Sequence, residues 1–146
     1  MTAKEFLSQY ANTDAEIKTL TEQIALQHEL AESITVGFEN DGSAPGTRRT
    51  DKLESCVANI VNLENELMKR REELAAVKKD VFHVIRDVQD SKLRTLLTLR
   101  YMGGKTFAEI AEIMRNSSGE PYSEHHVSHR MHDRALTEVQ KILGKI

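Results

Sequence analysis

The sequence predicts an all-α fold, in which a long helical hairpin or coiled coil precedes a helix-turn-helix of shorter helices. Three observations lead to this prediction. The 146 residues are 29% charged and rich in Glu, Lys and Leu, a composition that favours long helices. The two prolines, Pro45 and Pro121, leave long stretches free of the residue that breaks helices. Apolar residues also recur with a seven-residue period up to Val88.

The segment 1–89 is expected to form the hairpin, with its loop at about 37–50. The loop is predicted from "GFENDGSAPGT" (37–47), which holds three glycines and a proline. Before it, steps of three and four residues connect one stripe of mainly apolar positions: Tyr10, Thr13, Ile17, Leu20, Ile24, Gln27, Ala31 and Ile34. After it, the same steps give a stripe that Arg70 alone interrupts: Leu53, Cys56, Ile60, Leu63, Leu67, Leu74, Val77, Val81, Val84 and Val88.

Sustained heptads of this kind form the apolar seam of a left-handed coiled coil. The heptads do not decide whether the partner helix belongs to the same chain or to a second copy. We expect both, a hairpin that also associates into a homodimer or small homo-oligomer; the alternative is a helical bundle core without an oligomer. The residues expected to hold the oligomer are Leu53, Ile60, Leu63, Leu67, Leu74, Val77 and Val81.

Residues 90–146 are expected to form three shorter helices. "DSK" from Asp90 supplies cap residues for the first helix, which Gly103-Gly104 ends. Thr106 and Glu109 form a capping box at the start of the second. After the loop 116–122, Ser123 can cap a third helix that runs towards Ile142. The inward apolar positions of the three helices are Leu93, Leu96, Leu97, Tyr101; Phe107, Ile110, Ala111, Met114; and Val127, Met131, Ala135. Three short helices so spaced fit a helix-turn-helix.

The charges are distributed unevenly along the chain. The net charge is −3, but residues 91–146 hold nine Lys and Arg against six Asp and Glu, so they carry +3 and residues 1–90 carry −6. An anionic partner, if there is one, is therefore expected at the C-terminal third.

The single Cys56 excludes an internal disulfide and fits a reducing compartment. Without a signal peptide or a long apolar run, the chain is expected to be cytoplasmic, with no membrane partner.

The motif "LRTLLTLRYMGGKTFAEIAEIM…S…V…RALTEVQKIL" (93–143) resembles region 4 of sigma-70-type factors and the phage late-gene activators of the RinA/ArpU type. "LRY" at 99–101, "TFAEIA" at 106–111 and "RAL" at 134–136 carry most of the resemblance. The sequence departs from this pattern in two places near the third helix. The turn "RNSSGEPY" is longer than the usual three or four residues, and the spacing from Val127 to the Ala135-Leu136 pair is about one residue longer than in many sigma factors. No other sigma region is recognisable.

The resemblance implies that the third helix, about 123–142, enters the major groove of double-stranded DNA as a recognition helix. Its first turns then present base-reading side chains: Glu124, His125, His126, His129 and Arg130. Contacts to the DNA backbone are expected from residues on all three helices: Lys92, Arg94, Lys105, Thr106, Arg115, Ser123 and Arg134. For Arg100 two roles are equally expected, a contact to the DNA backbone or an ion pair with an acidic residue inside the fold. The alternative for the histidines is a solvated helix face without a role.

Neither catalysis nor a cofactor is expected. His125 and His129 have the spacing of a zinc-binding H-E-x-x-H helix, but His126 replaces the catalytic Glu and no third ligand follows. Cys56 lies on the apolar seam, where burial as a small apolar residue is expected. Gly103-Gly104 is a helix stop and not a phosphate-binding loop, since no complete G-x-x-x-x-G-K-[ST] motif follows.

The sequence therefore predicts a sequence-specific, DNA-binding transcriptional regulator of phage or prophage origin, acting in the bacterial cytoplasm. One alternative is a DNA-packaging component similar to a small terminase subunit, which would form larger rings. Another is a module that binds RNA polymerase without reading DNA itself. Under the first interpretation RNA polymerase is also a possible second partner.

Overall fold

The computed structural model describes residues 1–40 and 47–146, and the side chains of 1–36 and 50–146. This part of the chain is all-α and contains no β-strand, which confirms the all-α part of the predicted fold class. Its helices are α1 (Ala3–Asn40), α2 (Thr47–Asp87), α3 (Ser91–Leu97), α4 (Phe107–Ile113) and α5 (His132–Gly144). A π-helical turn, Thr98–Met102, follows α3, and a π-helical segment, His126–Met131, precedes α5.

The predicted loop at about 37–50 is longer than the interruption between the first two helices. Helix α1 continues to Asn40 and α2 begins at Thr47, so both ends of the predicted loop are helical. Once a helix exists, each added residue gains a hydrogen bond without a new nucleation cost, and Gly37 does not stop it. The centre of the predicted loop, 41–46, lies outside the described residues. No helix in the described ranges is long and apolar enough to span a membrane.

The chain divides into two compact units that differ from the expected division at residue 89/90. One unit combines residues 1–12 with 74–146, and the other comprises residues 13–73. The first unit is larger than expected because the start of α1 and the end of α2 contribute to its core. Leu7 and Val81, on these two helices, are fully buried with Leu96, Ile110, Val127 and Val139.

In the unit 13–73, segments of α1 and α2 lie side by side with opposite chain directions. Arg70 Nε lies 3.2 Å from a Glu16 carboxylate oxygen, and His28 Nε2 lies 4.0 Å from Glu64. Arg70 also donates to Glu73 over 2.8 Å. Hydrogen bonding to Glu73 and the nearby Glu16 raise the pKa of Arg70. The one charged residue on the predicted stripe is thus accommodated by two carboxylates at the edge of the helix contact.

The predicted seam is covered within a single copy of the chain. Every residue of the two predicted stripes, from Tyr10 to Ile34 and from Leu53 to Val88, is buried or half-buried. Of the seven expected oligomer residues, Ile60, Leu67 and Val81 are buried, and the other four, Leu53, Leu63, Leu74 and Val77, are half-buried. Their burial therefore requires no second copy.

The helices α3 and α4 begin where the sequence predicts caps. The Asp90 carboxylate accepts a hydrogen bond from the Lys92 amide over 2.9 Å, and Thr106 Oγ1 accepts from the Glu109 amide over 3.2 Å. Between them, Gly104 has a φ of 67°, which a residue with a Cβ rarely adopts. After this turn, α4 contributes Ile110 and Ala111 to the same core as α3.

Candidate nucleic-acid interface

The long turn between α4 and the next helix is held together by its own backbone and one side chain. Arg115 and Pro121 form an isolated antiparallel bridge. The Asn116 side-chain oxygen accepts from the amides of Ser118 and Glu120, over 2.9 and 3.0 Å. Gly119 has a φ of 81°, so the turn uses its glycine where left-handed backbone is needed. The turn is therefore longer than usual but internally fixed.

Ser123 caps the helix that follows, as predicted. Its Oγ accepts a hydrogen bond from the His126 amide over 3.1 Å. Helical structure then runs without a break from 124 to 144, with the π-helical segment His126–Met131 inside it. Val127 and Met131 point inward and pack in the core of the unit. The segment contacts α4, so the two elements that the resemblance pairs are in contact.

The structure divides the four clustered histidines into three environments. His125 and His129 are exposed, with their rings edge to face and 4.4 Å between centroids. His126 is half-buried, and its ring stacks on Tyr122 at 5.3 Å with planes 10° apart. His132 is buried, with 8% of its surface exposed. The cluster is therefore not one surface, and only part of it can meet a partner.

The exposed surface at the start of this helix consists of Glu124, His125, His129 and Arg130, four of the five predicted base-reading residues. We call it the outward face. Among the described residues, none of the four side chains has a hydrogen bond or ion pair with another side chain. Their polar groups consequently remain available to a ligand. His126, the fifth, is partly used in stacking on Tyr122.

Tyr122 was not expected from the sequence, yet it connects two predicted contact residues. Its hydroxyl accepts from Lys92 Nζ over 2.9 Å, and Lys92 Nζ lies 5.7 Å from its ring centroid. This hydrogen bond raises the pKa of Lys92. The start of α3 is thereby joined to the start of the recognition-helix candidate. An aromatic residue directly before a helix cap, one turn from a histidine, was the available signal.

Besides Lys92 and Ser123, two predicted backbone-contact residues form hydrogen bonds within the protein, the half-buried Arg94 and the exposed Thr106. The Arg94 guanidinium donates to the carbonyls of Val88 and Gln89, over 2.7 and 3.1 Å, in the segment between α2 and α3. Thr106 Oγ1 donates to the Glu109 carboxylate over 3.1 Å in addition to its capping role. Lys105 keeps a looser, exposed contact of 4.0 Å with Glu109.

The remaining predicted phosphate contacts are exposed. Arg115, Ser123 and Arg134 all have exposed side chains. Arg134 lines an open groove of about 380 Å³ together with Gln89, Asp90, Leu93 and residues of its own helix. Arg115 leads into the fixed turn.

Arg100, which is half-buried, and His132, which is buried, both contact the Phe107 ring. Arg100 donates to the Lys105 carbonyl over 3.1 Å, and its guanidinium carbon lies 4.2 Å from the Phe107 ring centroid. Within the described residues Arg100 makes no ion pair, so the ion pair inside the fold, one of its two expected roles, is not observed. His132 lies between Tyr101 and Phe107, with ring centroids 5.8 and 5.0 Å away. Its position three residues before the inward Ala135 was the signal for burial.

Within the described residues, no group of three or more His, Cys, Asp or Glu side chains is arranged to hold a metal ion. Cys56 is buried, as expected for its seam position. Comparison of the chain with protein-family models, curated proteins and solved structures finds no match. A function must therefore be inferred from the residues themselves.

Proposed function

We propose that this protein is a sequence-specific, double-stranded DNA-binding regulator. In this proposal α4 and the helix 124–144 form a helix-turn-helix, and the antiparallel segments of α1 and α2 form a helical hairpin. The outward face enters the major groove. A phage or prophage origin, as the sequence resemblance implies, is part of the same proposal.

The availability of the outward face is the observation that carries the proposal. Glu124, His125, His129 and Arg130 are exposed polar residues on the first turns of a helix whose opposite side is held in the core. Arg can pair with guanine, Glu can accept from cytosine, and histidine can donate to base or phosphate acceptors. A helix presented by its N-terminal turns is the geometry by which helix-turn-helix proteins reach base edges.

The proposed backbone contacts come from α3, from the segments on either side of α4 and from α5. Lys92, Lys105, Arg115 and Arg134 are exposed or loosely held cations, and Ser123 lies at the helix start. Such contacts add affinity and orientation without reading sequence. Arg94 and Thr106 are proposed to act indirectly, by holding the helices that carry the contacts. No metal or cofactor is needed for this mechanism.

The proposal is tested by selection from a pool of DNA duplexes with a randomised centre. Wild-type protein is incubated with the pool, bound duplexes are amplified, and the enriched sequences are determined. We expect one motif to emerge, because base-edge contacts discriminate by about 1–3 kcal/mol per good pair. A variant with Glu124, His125, His129 and Arg130 all changed to Ala is expected to keep its fold and enrich no motif.

Two results would contradict the proposal: no motif enriched by the wild type, or the same motif enriched by the quadruple variant. The first result would favour a surface that binds protein, RNA polymerase included. Sedimentation of the same sample measures the assembly. A mass of two to four copies agrees with a regulator, whereas eight or more copies would favour the packaging alternative.

A further inference from the structure

The helix that carries the outward face is not regular throughout. Its hydrogen bonding is α-helical at 124–125 and 132–144, but π-helical over His126–Met131. At the end of this segment the His132 amide reaches the Val127 carbonyl, five residues back, as well as the carbonyl of His129. Neither proline nor glycine occurs within the segment, so neither of these residues causes the distortion.

The spacing of the inward residues explains the π-helical segment. Val127, Met131, Ala135 and Val139 are each 5% exposed or less, and they follow one another at intervals of four. In a regular α-helix each interval of four rotates the side chain by about 40°, so the three intervals would spread the stripe over about 120°. A π-helical turn of about 4.4 residues offsets that rotation over the first interval. Val127 therefore stays in the same core as Val139.

The segment thus holds one residue more than a regular helix needs. With one residue fewer between Val127 and Met131, the intervals would be three, four and four, a stripe that an α-helix keeps within about 80°. The core would be satisfied equally well. What the extra residue changes is the outer surface, where Ser128, His129 and Arg130 lie between the two inward residues.

We infer that this extra residue determines which side chains the helix offers to DNA, an inference that rests on the proposed function. In the π-helical arrangement the His129 ring meets the His125 ring at 4.4 Å and Arg130 is exposed beside them. A regular α-helix would rotate His129 and Arg130 by roughly 50° about the axis. That rotation moves their polar atoms by more than the tolerance of a bidentate base contact. The π-helical turn is a specificity determinant, with Ser128 as its additional residue.

The test is a deletion of Ser128, with Ser128→Ala as the matched control that keeps the residue count. Both variants and the wild type are measured against the duplex that the wild type selects and against the unselected pool. The deletion is expected to keep its melting temperature within about 5 °C, since the inward stripe then suits a regular helix. It should lose roughly ten- to hundredfold in affinity for the selected duplex. On the pool the loss should stay below about threefold.

Ser128→Ala should bind both DNAs as the wild type does. Three results would overturn the inference: a deletion variant that does not fold, one that retains the selected duplex, or one that loses both DNAs equally. These failures are distinguishable from failure of the proposed function itself, in which the wild type enriches no motif. A new motif selected by the folded deletion variant would support the inference directly.

Discussion

The Tyr101 hydroxyl and His132 Nε2 lie 2.6 Å apart in the interior of the unit formed by 1–12 and 74–146. Their rings stack at 5.8 Å, and Phe107 meets the imidazole edge to face. This hydrogen bond joins the π-helical turn Thr98–Met102 to the first residue of α5. It therefore fixes the recognition-helix candidate to the π-helical turn that follows α3.

The stability of the protein should fall as pH decreases through the titration range of His132. Burial, followed by the nearby Arg100, lowers the pKa of His132 from its ordinary value of 6.5, although Asp133 raises it in part. The unfolded chain then binds the proton more readily than the folded chain, so acid favours unfolding. The stability that depends on neutral His132 is complete above the pKa of this histidine in the unfolded chain. It is lost as pH falls through the lower pKa of the folded chain. Thermal unfolding between pH 7.5 and 5 measures this.

The control for the pH prediction is an exposed histidine. His132→Phe should have a shallower dependence of melting temperature on pH over this range, although it is less stable at pH 7.5. His125→Gln should keep the wild-type slope, since its ring is exposed. An unchanged slope in His132→Phe would show that other groups cause the acid sensitivity. Burial also raises the pKa of Tyr101, so its hydroxyl stays protonated throughout the range.

Leu67 and Met68 are adjacent residues with opposite environments, 9% and 64% exposed. Leu67→Lys should destabilise the segment 13–73 by about 3 kcal/mol, because a charge enters the apolar contact between two helices. Met68→Lys should change stability by less than about 0.5 kcal/mol. Urea unfolding followed by circular dichroism checks both. Equal effects of the two substitutions would exclude the seam as the buried surface.

Arg130 and Arg134 allow a matched comparison of base and phosphate contacts within one helix. Arg130→Ala should lose about 1–3 kcal/mol on the selected duplex and much less on the pool. Arg134→Ala should weaken binding to both and reduce the slope of log K against log salt by about one unit. Salt titrations of both variants measure these quantities. If Arg134→Ala alone changes the sequence preference, the proposed roles are reversed.

Arg94 is expected to affect stability rather than DNA contacts. Its guanidinium satisfies two carbonyls in the segment between α2 and α3, so Arg94→Ala should cost about 1–2 kcal/mol of folding free energy. Arg115→Ala, at an exposed position, should leave stability unchanged and reduce DNA affinity. If Arg94→Ala has wild-type stability but binds DNA weakly, Arg94 contacts phosphate and does not act through stability.

Removal of metal ions should leave both folding and DNA binding unchanged. The described residues provide no site with three or more ligands, and the pair His125–His129 alone binds a metal weakly at best. The measurement compares melting temperature and affinity before and after EDTA treatment of untagged protein. A stoichiometric metal lost together with binding would contradict this expectation.

Local patterns in the sequence predicted much of the fold. The heptad positions from Tyr10 to Val88 follow the buried side of α1 and α2, because burial in paired helices imposes its own period. The caps at Asp90, Thr106 and Ser123 depend on short-range geometry and were also identified. The division into units was not, because the packing of Leu7 against residues far along the chain has no local signal.

At the candidate site, sequence spacing identified the exposed residues better than the residues that form contacts within the protein. Four of the five expected base-reading residues are exposed. The roles of Arg94 and Arg100 within the protein depend on how nearby carbonyls and the Phe107 ring are oriented in three dimensions, which composition cannot indicate. The interval of four between inward residues did contain the signal for the π-helical segment. It becomes readable only once Val127 and Val139 are known to share one core.

The first residues of α1 have a consequence for biosynthesis. The Ala3 amide donates to the Gln140 side chain over 2.9 Å, across a separation of 137 residues, and Leu7 is buried in the same core as Val139. Chains emerge from the ribosome N-terminus first, at about 5–20 residues per second. Ala3 and Leu7 are therefore synthesised several seconds before the C-terminal residues against which they pack. The unit formed by 1–12 and 74–146 therefore completes its core only after α5 has been synthesised.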